Sequence, residues 1–352
     1  MTDLSRDIAA RVQAGFETGS PIDIAGAGTK SFLGRPSPAA TTLDVTGHRG
    51  IIEYDPAELI LVARAGTPLQ ELQDTLDSRQ QMLGFEPPFS AQGATLGGAV
   101  AAGLAGPRRA YSGAVRDFIL GASFVNGKGE IITSGGKVMK NVAGFDLFRP
   151  MAGAMGTLGV LLKAALRIVP RPEAEETLLH EENDETAALE KMNRWALQTQ
   201  AISAAAWDGS NIRIRLSGSP AGIAHGRAQI GGEILTESGY WNDLNNFRLE
   251  FFKQKGRLWR IALAPMSGPI GINSPQLIDW GGAQRWLMSD EPADDIRARV
   301  ARLGGHASCY SDDPAVPTFQ PLQGDLLALN QRLKAALDPA GILNPGRLDP
   351  KL

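Results

Sequence analysis

Glycine residues gather in three segments of the N-terminal half of the chain, and together these segments could hold a diphosphate. The segments contain Gly26 and Gly28, then Gly93, Gly97, Gly98, Gly103 and Gly106, and last Gly153, Gly156 and Gly159. A diphosphate needs backbone N–H donors at close range, and a chain without Cβ atoms approaches it most closely. A helix that begins near Thr95 would add its positive end. One such segment alone would be interpreted as a turn, but three of them favour an anion site.

Three common motifs for nucleotide binding or hydrolysis are absent. The dinucleotide fingerprint G-x-G-x-x-G would require glycine where Ser31 stands. Lys128 is followed by Gly129 instead of serine or threonine, so the chain has no P-loop. The chain also lacks a G-x-S-x-G nucleophile elbow. A bound dinucleotide would therefore have to be held by separate loops.

The composition is that of a globular protein and argues against several functions. The chain has 352 residues and a formal net charge of -3, which suits two domains and argues against binding to nucleic acid or anionic membranes. The single cysteine, Cys309, rules out an internal disulfide and an iron–sulfur cluster held by this chain alone. The four histidines have no ligand spacing, so we predict no metal site. We find no signal peptide or membrane span, which favours a cytoplasmic protein.

The pattern of strands and helices predicts two parts joined near residue 172. Ile22–Ile24 forms a strand that enters the first glycine segment, and Ile119–Val125 with Asn126-Gly127 predicts a hairpin. Pro170-Arg171-Pro172 and the charge run after it predict a linker. The second part is predicted to be α+β, with helices at Asp184–Gln200, Tyr240–Lys255 and Asp294–Leu303, and strands at Ser203–Trp207, Ile212–Leu216, Leu258–Leu263, Gln276–Asp279, Gln284–Met288 and His306–Tyr310. A last helix is predicted at Asp325–Leu337.

Residues from about Pro21 to Val169 resemble the PCMH-type FAD-binding domain of the vanillyl-alcohol oxidase family. The matching segments are Ala25-Gly26-Ala27-Gly28-Thr29, Pro87-Pro88 with Gly93 to Gly98, Arg116 to Gly121, and Gly153 to Val160. The ending Leu337-Asp338-Pro339 with Asn344-Pro345-Gly346 also looks like that of the family. The resemblance implies FAD-binding roles for Ala25, Gly26, Ala27, Gly28, Thr29, Lys30, Pro87, Pro88, Gly93, Ala94, Thr95, Gly97, Gly98, Gly103, Arg116, Asp117, Gly153, Gly156, Thr157, Gly159 and Val160.

The resemblance also implies an architecture. An α+β protein is expected, with a PCMH-type domain of two α/β subdomains at 1–172. A small α+β cap with a mainly antiparallel sheet follows at 173–320. A C-terminal helix and tail at 321–352 would return to the FAD domain. Many family members link FAD to a histidine of the first loop, where this sequence has Thr29 and Lys30, so we expect non-covalent FAD.

Over nearly the whole chain, the sequence resembles the FAD-binding subunits of bacterial glycolate oxidases. Gly28 to Arg35, Lys140 to Asp146 and Asp279 to Trp286 are among the segments that carry this resemblance. It implies an oxidoreductase that acts on CH–OH groups in glyoxylate metabolism and converts glycolate to glyoxylate. Its electrons would pass from FAD to an iron–sulfur subunit, in a complex with a larger flavin subunit. Any membrane association would be made through these partner subunits.

The sequence leaves the catalytic residues, the actual substrate and the electron acceptor open. The carboxylate of a hydroxy acid needs a cation, for which Arg260 and Lys140 are the candidates, although either could be structural. The cap lacks the His and Glu motifs of the larger family members. Two alternatives therefore remain, a non-catalytic FAD-binding accessory subunit and a stand-alone flavin oxidase of another 2-hydroxy acid or sugar lactone.

Overall fold

The structure is a computed structural model, and it describes residues 3–36, 41–137, 145–236, 239–311, 313 and 315–352. The α-helices within these residues are α1 (Ser5–Thr18), α2 (Leu69–Asp77), α3 (Leu96–Ala102), α4 (Arg109–Ser112), α5 (Val115–Phe118), α6 (Glu185–Gln198), α7 (Pro220–Ile230), α8 (Tyr240–Asn245), α9 (Ala293–Arg302) and α10 (Gly324–Leu337). None of these helices has the length and apolar character needed to cross a membrane.

The strands follow the same chain order. They are β1 (Ile22–Ala25), β2 (Thr41–Asp44), β3 (Ile51–Asp55), β4 (Ile60–Arg64), β5 (Gln81–Met82), β6 (Ile119–Val125), β7 (Ile131–Gly135), β8 (Val160–Arg167), β9 (Val169–Pro170), β10 (Ala174–Glu181), β11 (Ile202–Trp207), β12 (Asn211–Gly218), β13 (Glu233–Ile234), β14 (Leu258–Ala262), β15 (Gln276–Asp279), β16 (Gln284–Met288) and β17 (His306–Tyr310).

The chain divides into two compact units. The first contains Met1–Leu104, Ala114–Pro170 and Pro321–Leu352, and the second contains Ala105–Gly113 and Arg171–Gln320. The C-terminal residues thus belong to the same unit as the N-terminal glycine segments. The short segment Ala105–Gly113 lies with the second unit, whereas the sequence had placed it in the first domain.

The first unit is built on two main sheets. β1 and β2 pair in parallel, and the C-terminal tail joins them through a parallel bridge between Ile22 and Leu343. The other sheet has the strand order β3-β4-β8-β6-β7, and its paired strands are antiparallel. α1 packs Ile8 and Val12 into the apolar cluster that contains Ile22, Leu343 and residues of β6 and β8. This packing fixes the position of the first glycine segment, which follows β1.

The second unit contains one sheet with the order β13-β10-β12-β11-β15-β16-β14-β17, whose paired strands are antiparallel. α6 and α7 pack on one part of it, and α9 packs on another. The α+β class and the mainly antiparallel second sheet are therefore confirmed. The expected helix Tyr240–Lys255 is wrong in length: α8 ends at Asn245, and Phe247 has a φ of 57° that ends the helix.

Candidate functional site

The first glycine segment forms a tight loop directly after β1. Val45 N donates to Ala25 O at 2.9 Å, and Ser31 N donates to Gly28 O at 3.1 Å, so both ends of the loop are fixed. Gly28 has a φ of 73°, which glycine adopts without strain. Within the described part of the chain, the backbone N–H groups of residues 26–29 donate to no acceptor. The loop therefore offers consecutive N–H groups to an anion.

The second glycine segment opens α3, and several of its amide groups already have acceptors. Thr95 caps the helix by accepting from Gly98 N at 3.2 Å. Leu96 N donates to Thr67 O at 2.9 Å, and Gly97 N donates to Ala65 O at 2.7 Å. The N–H groups of Leu96, Gly97 and Gly98 thus already have acceptors within the protein, and the binding of a diphosphate by this segment stays a prediction.

Glycines of the first two segments also allow close approach between parts of the chain. A Cβ on Gly26 would lie 3.0 Å from Thr95 Oγ1, which shows that the first two segments are in contact. A Cβ on Gly97 would lie 2.8 Å from Ala65 Cβ, so this glycine lets α3 pack against the loop after β4. The two segments are 69 residues apart in the sequence (95 - 26) and meet at one place in the fold.

The third glycine segment lies at the C-terminal end of α3. Gly153 N donates to Val100 O at 3.0 Å, and Met155 N donates to Ala101 O at 2.9 Å. A Cβ on Gly103 would lie 3.1 Å from Gly153 Cα, so a side chain at position 103 would push the backbone of Gly153 away from α3. All three segments thus converge on α3.

An open cleft of about 1060 Å³ lies where the three segments meet. The cleft is lined by many of the residues that the sequence predicted to bind the cofactor. They are Ala25, Gly26, Ala27, Gly28, Thr29, Lys30, Thr95, Gly97, Gly98, Gly156, Gly159 and Val160. The lining also contains residues that the sequence did not indicate, namely Asp23, Ile24, Ser31, Val45, Ala65, Ala101, Ala102, Met151, Ala154, Met155, Leu161, Asn344 and Arg347.

The other predicted residues lie outside this lining, and their roles in cofactor binding stay predictions. They are Pro87, Pro88, Gly93, Ala94, Gly103, Arg116, Asp117, Gly153 and Thr157. Asp117 Oδ2 accepts from Ala114 N at 2.8 Å at the start of α5, and Arg116 is largely exposed. Gly103 is the left-handed residue that ends α3, and Thr157 Oγ1 donates to Ala154 O at 2.7 Å. The Arg-Asp motif therefore shapes the entry to β6, and it does not face the cleft.

Asn344 connects two walls of the cleft from the C-terminal tail. Its Oδ1 accepts from Ile24 N at 2.7 Å, and its Nδ2 donates to Met155 O at 2.6 Å. Its side chain is buried, and its φ of 41° suits asparagine. In the sequence, Asn344 stood out only as part of Asn344-Pro345-Gly346, which resembles the C-terminal end of the family. This resemblance did not indicate that Asn344 lies in the site.

Replacing Asn344 with aspartate is expected to destabilise the first unit and to weaken cofactor binding. The carboxylate can still accept from Ile24 N, but it cannot donate to Met155 O, and the repulsion should be about 2–4 kcal/mol. Urea unfolding and a cofactor titration would measure both effects. Asn330→Asp is the matched control, because Asn330 donates to Leu326 O at 2.8 Å in an exposed bond. Equal effects of the two variants would contradict this role of Asn344.

Three charged side chains line the cleft, namely Asp23, Lys30 and Arg347. Burial lowers the pKa of Arg347, and Asp23 partly opposes this shift. Burial alone lowers the pKa of Lys30 to about 8. With two cations and one carboxylate, the lining is suited to an anionic ligand.

Of the two candidates for a substrate carboxylate, the structure describes only Arg260. Arg260 is on β14 in the second unit, where its Nε donates to Gln284 Oε1 at 2.5 Å and its guanidinium lies 5.1 Å from the centre of the Trp280 ring. Lys140 lies outside the described residues. The structure therefore adds no catalytic residue to those left open by the sequence.

Two family models match parts of the chain that line the cleft. The FAD binding domain matches residues 5–135, which include the first two glycine segments. The C-terminal domain of the FAD linked oxidases matches residues 320–348, which include α10 and Asn344.

Curated relatives and solved structures agree with these matches. The chain is 42% identical over 346 residues to glycolate oxidase subunit GlcE of Escherichia coli, covering 98% of this chain and 97% of that protein. It is 34% identical to glycolate oxidase subunit GlcD of Bacillus subtilis over 45% of this chain and 34% of that protein. The structure of alkyldihydroxyacetonephosphate synthase has the same fold, with a TM-score of 0.69 at 14% identity over 97% of this chain and 75% of that one. The chain belongs to the family of glycolate oxidase subunit GlcE among the FAD-linked oxidoreductases, and it carries their FAD-binding domain.

Proposed function

We propose that the chain is the FAD-binding subunit of a multi-subunit glycolate oxidase or dehydrogenase in the cytoplasm. The complex would oxidise glycolate to glyoxylate and pass the electrons to an iron–sulfur subunit, alongside a larger flavin subunit. The observation that carries this proposal is the identity of 42% to subunit GlcE over nearly the full length of both chains. The cleft formed by the three glycine segments supports it independently.

The residues of the cleft fit a non-covalently bound FAD. The N–H groups of residues 26–29, which have no acceptor in the described chain, would hold the diphosphate. Gly28 leaves open space in front of them, since no atom lies within 4 Å of a Cβ placed there. Thr29 and Lys30 occupy the loop in which other family members carry a linking histidine. Bound FAD supplies the two-electron acceptor for the oxidation of a CH–OH group.

The chain's own side chains would orient the cofactor and exclude water from it. Ile24, Val45, Met151, Met155 and Leu161 give the cleft apolar walls. Asn344 fixes the separation of two of these walls, because it bonds to the backbone of Ile24 and of Met155. The protein thus contributes binding and positioning, which is its usual share in flavin chemistry.

A second candidate function keeps FAD but moves catalysis to a partner. The absence of the cap His and Glu motifs favours such an accessory subunit. Anaerobic mixing of the purified chain with glycolate separates the two, because bleaching of the flavin absorbance would place substrate oxidation on this chain. Unchanged absorbance, with bleaching only in the assembled complex, would favour the accessory role.

The absorbance spectrum of the purified chain tests FAD binding. We expect the absorption bands of a flavin in the blue part of the visible spectrum. After the protein is precipitated with acid, all of the flavin should be released into the supernatant. Flavin that stays with the precipitate would contradict non-covalent binding. A chain that takes up no FAD from solution under any condition would contradict the proposed function. Co-purification with co-expressed neighbouring subunits tests the partners.

A further inference from the structure

Lys30 is a buried cation whose ammonium group is almost unpartnered. Its side chain is 7% exposed, and it lines the cleft directly after the loop 26–29. Among the described residues its only hydrogen bond runs from Nζ to Thr29 Oγ1, at 3.3 Å. An ammonium group has three donors, so at least two are left without an acceptor. The ring of Phe89, 5.4 Å from Nζ, is its other favourable contact.

The charged neighbours do not neutralise this ammonium group. Asp23 and Arg347 line the same cleft, but the carboxylate of Asp23 acts on Arg347 and is not among the causes that shift Lys30. A buried charge without a counterion is strongly unfavourable. A protein retains such a group where a bound anion completes it.

We propose that Lys30 neutralises the diphosphate of FAD and makes the retention of FAD depend on pH. This inference rests on the proposed function, and it adds which residue supplies the charge. The diphosphate is favoured over the flavin ring because Lys30 directly follows the consecutive free N–H groups of residues 26–29. Lys30 would thus select a dinucleotide over an uncharged flavin.

The sign of the pH dependence follows from the burial of Lys30. Without ligand the pKa of Lys30 is lowered from 10.5 to about 8. An anion beside it favours the charged form and raises the pKa again, so binding takes up a proton above pH 8. The affinity for FAD is therefore fully present below pH 8 and falls as the pH rises above it. We expect a loss of roughly 10- to 30-fold between pH 7 and pH 9.5.

The test measures FAD dissociation constants of the full chain at pH 7 and pH 9.5 by flavin fluorescence. Lys30→Met should bind FAD about 10- to 100-fold more weakly than the wild type at pH 7, and it should not share the wild-type loss at pH 9.5. Lys30→Arg should bind equally at both pH values, because a guanidinium stays charged. Lys163→Met, which removes an exposed lysine of β8, should behave as the wild type.

Competition with ADP and with riboflavin identifies what Lys30 contacts. ADP, which carries the diphosphate, should compete less well in Lys30→Met, whereas riboflavin should be unaffected. Unchanged FAD and ADP affinities in Lys30→Met, with only a lower flavin reduction potential, would overturn the assignment to the diphosphate. If Lys30→Met does not fold, a wild-type pH profile as flat as that of Lys30→Arg would equally overturn it. A wild type that binds no FAD would instead contradict the proposed function.

Discussion

Replacing Gly28 with valine is expected to reduce the affinity for FAD by about 100-fold or more. A Cβ at Gly28 meets no protein atom within 4 Å, so the added side chain would project into open space beside the free N–H groups of its own loop. Each hydrogen bond from these groups to a charged oxygen contributes about 1.5–3 kcal/mol, and displacement of the ligand would lose at least two of them. Equilibrium titration with FAD would measure the loss.

Gly19→Val is the matched control for this variant. Gly19 has a φ of 64°, close to the 73° of Gly28, and a Cβ there also meets no atom within 4 Å. Both variants should therefore carry a similar backbone strain of about 1–2 kcal/mol. Gly19 ends α1 and does not line the cleft, so Gly19→Val should bind FAD as the wild type does. If both variants lost FAD to the same extent, strain alone would explain the effect of Gly28→Val.

Replacing Lys334 with methionine is expected to lower the free energy of unfolding more than any other substitution described above. Lys334 Nζ is buried and donates to Thr157 O and Leu343 O, each at 2.8 Å, and it pairs with Asp338 Oδ2 at 2.8 Å. Removing one partner of a buried ion pair typically costs about 3–5 kcal/mol, because the other charge is left without compensation. We expect the melting temperature to fall by about 6–20 °C.

Two further variants test this explanation. Lys128→Met removes an exposed lysine of the hairpin turn and should change the melting temperature by less than about 2 °C. The double variant Lys334→Met with Asp338→Asn removes the stranded charge, but it also removes one of the two oxygens that accept from Ile342 N and Leu343 N, so it should recover only a small part of the stability. A double variant less stable than Lys334→Met alone would show that the hydrogen bonds accepted by Asp338, and not the stranded charge, dominate.

The sequence predicted the first loop of the cleft because all the information for it is local. A few neighbouring residues are enough to recognise the strand before Gly26 and the glycine spacing after it. The sequence could not show that Ala65 and Thr67 accept the N–H groups of Gly97 and Leu96, since these partners come from another loop. Glycines that permit packing and glycines that permit ligand contact look alike in a sequence.

Long-range contacts account for the residues that the sequence missed. Asn344 bonds to the backbone of Ile24, 320 positions away, and no local pattern indicates such a pair. The strands of the second unit were predicted well because the residues that indicate them are close together in the sequence, as for Gln284–Met288. The helix after Tyr240 was predicted too long, because its later aromatic residues, such as Phe252, lie in a separate short 3₁₀ helix that packs against Trp286. Apolar residues at helical spacing fitted both structures equally well.

The tail that carries Asn344 has a consequence for biosynthesis. The glycine segments leave the ribosome early. The cleft of the first unit, however, lacks Asn344 until the second unit and the tail have been translated. The chain ends 182 residues after Pro170 (352 - 170). At about 5–20 residues per second, this delay is roughly 10–40 s. Nascent chains stalled before residue 344 should therefore not retain FAD, and loading of the cofactor should follow the completion of synthesis.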